Sequence, residues 1–190
     1  MTAAATRDLR ETASELRARL GAQRDAVPVD IEQLALLHGL RIERCDQGIT
    51  GVVVHNTDGV ALSGLLDFTT GRLFVDGTQI ATRQRFTIAH ELAHEVLGHE
   101  DVFGTPTHGV PDMHEASVVT DHSDAENGIH AAEREADELA GHLLVPRDLL
   151  VRTIAQLGSI SVPLLADCFA VSVAAMQMHV RRLIANDDAG

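Results

Sequence analysis

Two histidines four residues apart, His90 and His94, enclose a carboxylate, Glu91, within a stretch that reads as one helix from Thr82 to Leu97. Nothing else in the chain restricts its fold so narrowly. On an α-helix, positions four apart differ by only about 40° in direction and about 6 Å in height, so both imidazoles reach toward one point. Two neutral imidazoles at that spacing can hold one metal ion, and a carboxylate leaning over the same point can take a proton from its bound water. A five-residue pattern with three fixed positions also arises by chance in a chain with 11 His and 28 acidic residues. The surroundings give it weight. Phe86, Ala89, Ala93, Val96 and Leu97 form an apolar stripe beside the two histidines, and Gly98 stands where a helix C-cap glycine belongs. The motif therefore falls on a half-buried helix, where a metal helix should lie.

The length of 190 residues suits one domain with an appendage, and a hydrophobic content of 45% supports a core. Trp and Tyr are absent, so that core must be built from Leu, Val, Ile and Ala. The polar start, Met1 to Arg10, has no apolar stretch of the signal-peptide kind, and no apolar run approaches the ~18 residues of a membrane span. Cys45 and Cys168 are isolated thiols without metal-type spacing. Together these features predict a protein of the reducing cytoplasm. Charge is unevenly placed. Residues 95–138 carry 12 acidic groups and one basic, whereas residues 1–94 and 139–190 are nearly balanced. Such acidity disfavours a whole-protein grip on nucleic acid, which needs a basic face.

Along the chain, Ala3–Leu20 reads as a solvent-facing helix within an N-terminal region 1–25. Asp30 is placed to cap a second helix that stops at Gly39. Leu40–Glu43, Gly51–His55, Ala61–Asp67 and Arg72–Asp76 read as strands divided by Gly, Asn and Asp turns. They predict a small, mostly antiparallel sheet ahead of the metal helix. Residues 99–128 have no helical period, five acidic groups after Asp101, and His99, His108, His114 and His122. They are expected to form a mobile acidic insert beside the site. A second strong helix is expected over Ile129–Val145, then one begun at Pro146, then Val162–Phe169 and Val173–Ile184 joined through Ala170-Val171-Ser172. The expected division is 1–25, a central domain 26–150 with its insert at 99–128, and a helical region 151–190.

Two histidines need a third protein ligand before a catalytic zinc site is complete. The extended pattern HExxHxxGxxH requires Gly at 97 and His at 100; the chain has Leu97 and Glu100, so that class of peptidase is excluded. His99, five residues past His94, would point about 140° away on a continuous helix. A downstream carboxylate is the alternative. Glu133 and Asp137 share a face of the Ile129–Val145 helix. Glu133 suits the third ligand, with Asp137 bonding the outer nitrogen of a ligand histidine. Glu135 lies about 200° round the helix and is the second choice. Read without the histidines, the same cluster is a charged helix face, with Arg134 and Glu138 as an i,i+4 pair.

At this point the chain resembles a known family. Arg85-Phe86-Thr87-Ile88-Ala89-His90-Glu91-Leu92-Ala93-His94 and Glu133-Arg134-Glu135-Ala136-Asp137-Glu138-Leu139-Ala140, followed by Leu143-Leu144-Val145-Pro146, are similar to the two site helices of the ImmA/IrrE metallopeptidases. The resemblance covers roughly residues 28–150, with a weaker echo to 184. Leu139, Val145 and Asp137 are mild departures, standing where the family often has Phe, Met and Asn. The acidic insert has no clear family counterpart. The resemblance implies an α+β, zincin-like core: a small antiparallel sheet, the HExxH helix and the glutamate helix, with a helix-turn-helix-like C-terminal part. It also implies cleavage of a repressor or antitoxin protein, relieving repression of stress or mobile-element genes.

The mechanism expected is Zn²⁺ held by His90, His94 and Glu133, with Glu91 as general base. The oxyanion needs a second donor. Without Tyr, that donor must be His, Arg or backbone N–H, with His99, His130 and the insert histidines as candidates. A competing expectation is a regulator that binds DNA or protein and uses the metal structurally or as a sensor. Its DNA-reading helix would lie within 159–190, offering Gln177, His179, Arg181 and Arg182.

Overall fold

The computed structural model describes residues 8–49, 62–100, 107–111 and 124–187. Among them are seven α-helices: α1 Leu9–Ala18, α2 Ile31–His38, α3 Ala81–Leu97, α4 Asp124–Leu144, α5 Arg147–Leu157, α6 Val162–Phe169 and α7 Val173–Asp187. Four strands accompany them: β1 Arg41–Cys45, β2 Leu62–Asp67, β3 Arg72–Asp76 and β4 Thr107–Pro111. The class is α+β. The run Gly51–His55, expected as a strand, lies outside the described residues, as does most of the acidic insert.

The strands form one sheet in the order β1-β3-β2-β4. β2 pairs antiparallel with both β3 and β4, while β1 runs parallel to β3. The sheet is thus mostly antiparallel, as the turn residues suggested. Two points differ from the sequence reading. The parallel pair joins strands between which β2 lies in sequence, a non-local pairing that turn residues do not encode. β4 comes from the stretch expected as loop, and it follows the metal helix. Its Gly and Pro residues hide a strand that exists because the edge of β2 offers it hydrogen-bonding partners.

Helix ends follow the local signals. The Asp30 side chain accepts a hydrogen bond from the Gln33 N–H at 3.0 Å, capping α2. Gly39 ends α2 at φ 104° and Gly98 ends α3 at φ 72°, both left-handed and natural only to glycine. α4 begins at Asp124, five residues earlier than the periodicity indicated. The solvent-facing reading of the N-terminal helix holds for one side only. Ala13, Leu16 and Arg17 of α1 are buried, and α1 packs on α4. Arg17 donates to both carboxylate oxygens of Asp148, at 2.9 and 2.7 Å, tying α1 to the start of α5.

The core is aliphatic except for Phe169 and Met176; its largest fully buried members include Ile31, Leu66, Leu73, Ile88, Leu92, Leu139 and Leu149. α3 is more deeply buried than an amphipathic stripe implies. Every residue from Thr87 to His94 is buried, because the sheet covers one side of the helix and α4 the other. Gly64 of β2 makes that approach possible. A Cβ there would stand 2.3 Å from Cγ2 of Thr87 and 3.3 Å from Oε1 of Glu91. α6 and α7 bend by 110° at the turn that contains Ala170 at φ 50°, a helix-turn-helix geometry. Ser172 caps α7, its Oγ accepting from the Ala175 N–H at 3.1 Å. Among the described residues no single helix is long and apolar enough to cross a membrane.

Candidate metal centre

The site lies where α3 meets α4. α3 delivers His90, Glu91 and His94 from its buried middle; α4 delivers Glu133 and Asp137 beside the apolar row Ala132, Ala136, Leu139, Ala140 and Leu143. That row presses α4 onto α3, and burying it holds the carboxylates against the histidines. His90 and His94 are 2% and 0% exposed, so neither ring can be satisfied by water.

Three donors converge. His90 Nε2 and His94 Nε2 are 2.8 Å apart. The carboxylate of Glu133 stands 3.2 Å from the first and 3.6 Å from the second. A tetrahedral ion about 2.0–2.2 Å from each donor would space its donors by roughly 3.3–3.6 Å. The observed separations bracket that spacing. The donor set, two imidazoles and a carboxylate, fits a divalent metal ion, and the three residues form the candidate metal cluster among the described residues.

Both imidazoles are held from behind. The Nδ1–H of His90 donates to Oδ1 of Asp137 at 2.9 Å, leaving the Nε2 lone pair facing the cluster. His94 Nδ1 lies 2.9 Å from Nδ1 of His99. If His94 likewise keeps its Nε2 lone pair forward, its Nδ1–H donates to His99, whose own proton then sits on Nε2. That nitrogen is 3.5 Å from Oε2 of Glu135. Glu135 is therefore part of the centre's outer support and is not beside Glu133. Burial disfavours the imidazolium form of His90, but hydrogen bonds to Asp137 and Glu133 outweigh it, and its pKa is pushed up to about 9, so a metal ion that takes the Nε2 lone pair displaces a proton there. Glu91 is fully buried between α3 and β2, its carboxylate turned toward Gly64.

His99 is the residue whose place the sequence reading missed. A continuous helix would point His99 about 140° away. Gly98 breaks it, and the left-handed turn brings His99 back, 6% exposed, against the outer nitrogen of His94. The signal was present in the glycine immediately before it. With its nitrogens directed at His94 and Glu135, His99 is oriented away from the metal-facing side, and it drops out as an oxyanion donor. His130 is on the exposed side of α4, while His114 and His122 lie outside the described residues.

Two imidazoles and a carboxylate, carried by two packed helices and braced from outside, define a candidate metal-binding centre on an α+β scaffold. The comparisons narrow this to a family. The Peptidase M78 family model, described as the IrrE N-terminal-like domain, matches residues 37–181, and the chain belongs to that family. This agrees with the ImmA/IrrE resemblance, and it identifies the family as one of peptidases. No curated protein matches the chain significantly. A solved structure of a Mycobacterium tuberculosis transcriptional regulator is similar in fold, with a TM-score of 0.57 and 19% identity. The match covers 89% of this chain and 44% of that one, so this chain spans less than half the length of that regulator.

Proposed function

We propose that the protein is a zinc-dependent endopeptidase with a zincin-like core, working in the cytoplasm on a partner repressor or antitoxin protein. The observation that carries this reading is the convergence of His90 Nε2, His94 Nε2 and the Glu133 carboxylate, with Asp137 on the outer nitrogen of His90. In this reading His90, His94 and Glu133 are the zinc ligands. Zinc, if bound there, would supply Lewis acidity and would lower the pKa of a water to about 7. Glu91 takes a proton from the attacking water and passes it to the leaving amine. Asp137 and His99 hold the two ligand rings in the tautomer that leaves Nε2 unprotonated. The test is incubation with a repressor encoded beside this gene, with and without chelator, followed by mass spectrometry. Cleavage abolished by chelator is expected. Glu91→Gln is expected to retain zinc and lose cleavage; full activity in that variant would sink the mechanism.

A second reading is supported by the helix-turn-helix angle of α6 and α7 and by the fold likeness to a protein titled a transcriptional regulator. In it the metal is structural or sensory, and the helix pair binds DNA or a partner protein. Against it stands the orientation of α7. His179 and Arg182, two of the four side chains available for base contacts, line a groove shared with α3 and α4. Salt-dependent binding of the full chain to duplex DNA would favour this second reading.

A further inference from the structure

A groove of about 990 Å³ runs between the start of α3, the outer side of α4 and the exposed side of α7. Its lining is mainly apolar, with Phe86, Leu144 and Val145 among the lining residues. On its rim Ile80 is 72% exposed and Met178 54% exposed. Large apolar side chains standing together in water around a concave surface mark a place where something binds.

Two observations say what. The first is continuity with the metal centre. Asp137 lines the groove and also holds His90. Phe86 lines it too, and its ring centroid is 5.8 Å from that of His90. The groove therefore ends beside Asp137, on the outer side of His90, and none of the three metal ligands lines it. The second is charge. The chain carries a net charge of −13, yet Arg83, Arg134 and Arg182 all border this groove. Of the two acidic residues in the same lining, Asp137 is hydrogen-bonded to His90 and Glu138 stands 3.6 Å from His142, so the three arginines outnumber the carboxylates. Arg134 and Arg182 are exposed and form no ion pair among the described residues. Guanidinium groups that border an apolar surface call for carboxylates on an apolar partner.

We propose that this groove seats a segment of the protein substrate outside the stretch that meets the metal ligands, and that this segment carries apolar side chains and carboxylates. The proposal rests on the peptidase reading above. It gives the C-terminal helix pair a role distinct from reading DNA: α7 is the far wall of the substrate groove, and its side chains select what reaches the zinc.

The test uses the full chain carrying Glu91→Gln, so that bound peptide is not consumed. Fluorescence anisotropy compares two labelled pools of synthetic peptides of equal length. One is built from Leu, Ile, Val, Gln and Glu; the other has Lys in place of Glu. The acidic pool is expected to bind at least tenfold more tightly. Adding Arg182→Glu is expected to abolish that preference, and adding Met178→Asp to weaken binding of the acidic pool at least tenfold. Should either variant lose zinc, Arg182→Gln at the same exposed position must still reduce the preference threefold or more. Equal affinity for the pools, no binding of either, or a preference unmoved at Arg182 overturns the proposal. A dimer in sedimentation that Met178→Asp dissolves would assign the face to a second copy. Duplex DNA binding lost in Arg182→Glu would assign it to nucleic acid, and either result overturns it. The two readings fail separately. Peptides that bind here but are never cut by the chain with Glu91 intact sink the peptidase reading. Cutting of both pools at equal rates, unaffected by Arg182→Glu, sinks the groove.

Discussion

Two histidine pairs touch α4 on different sides. His90 and His94 come from α3 and meet Glu133 and Asp137; His142, on α4 itself, lies near His179 of α7. Burial disfavours the charged imidazole in both places. At His90 the carboxylates of Asp137 and Glu133 overcome burial and push the pKa up to about 9. At His179 burial acts together with Arg182 and His142, and the pKa is pushed down to about 4. His142 is also lowered, by burial first, with Glu138 opposing and Arg10 and Arg182 assisting. The sign of the neighbouring charge therefore separates the pairs. A centre built to attract a cation is rich in carboxylates, whereas the second pair is a neutral packing contact between α4 and the C-terminal helices.

That contrast can be broken most forcefully at Glu133. Glu133→Ala is expected to lower metal affinity by more than the ~10–100-fold typical of losing an outer partner. Glu135→Ala should cost tenfold at most, since Glu135 reaches the centre only through His99. Competition with a chromogenic chelator measures both, and equal losses would contradict the assignment.

The neutral pair is sharpened by pH. The folded pKa of His179 lies below its ordinary value of 6.5, so the unfolded chain binds the proton more tightly. Its contribution to stability is complete above about pH 6.5 and is lost as pH falls toward 4, by at most about 3 kcal/mol. Urea unfolding of the metal-free protein at pH 7, 5.5 and 4.5 should show a shallower decline for His179→Gln than for the unaltered chain. Parallel declines would remove His179 from the account.

Next come the outer partners. His99→Ala and Asp137→Ala should each weaken metal binding by ~10–100-fold. His99 belongs near the upper end because it is buried, and Asp137, with a side chain 58% exposed, near the lower, since water can replace it. The same chelator competition ranks them, and the reverse order would mean that burial does not set the strength of the brace. The smallest effect is expected at Arg182. Arg182→Gln removes one cause of the low His179 pKa, and proton NMR should show that imidazole titrating at higher pH.

Much of the centre was legible in the chain. The four-residue spacing of His90 and His94 dictates a shared helix face, and Glu133 and Asp137 repeat that logic on a second helix. Asp30, Gly39 and Gly98 announced the helix ends because caps are local chemistry. His99 was not legible in its role, since its direction depends on how the chain leaves Gly98. β4 was not legible either, because a strand at a sheet edge is defined by the partner that accepts it. Gly64 carried no readable meaning as a lone glycine; only the packing of Thr87 and Glu91 against it explains it.

The sequence by itself determined which residues could hold a metal and on which helices they ride, because helical periodicity is a property of the backbone. Only the tertiary structure decided that Glu133 meets both imidazoles while Glu135 stands behind His99. It also decided that α7 turns His179 and Arg182 toward the body of the domain. Those choices belong to packing: which apolar row presses which helix against which is a sum over contacts distant in sequence, and no single stretch of the chain records it.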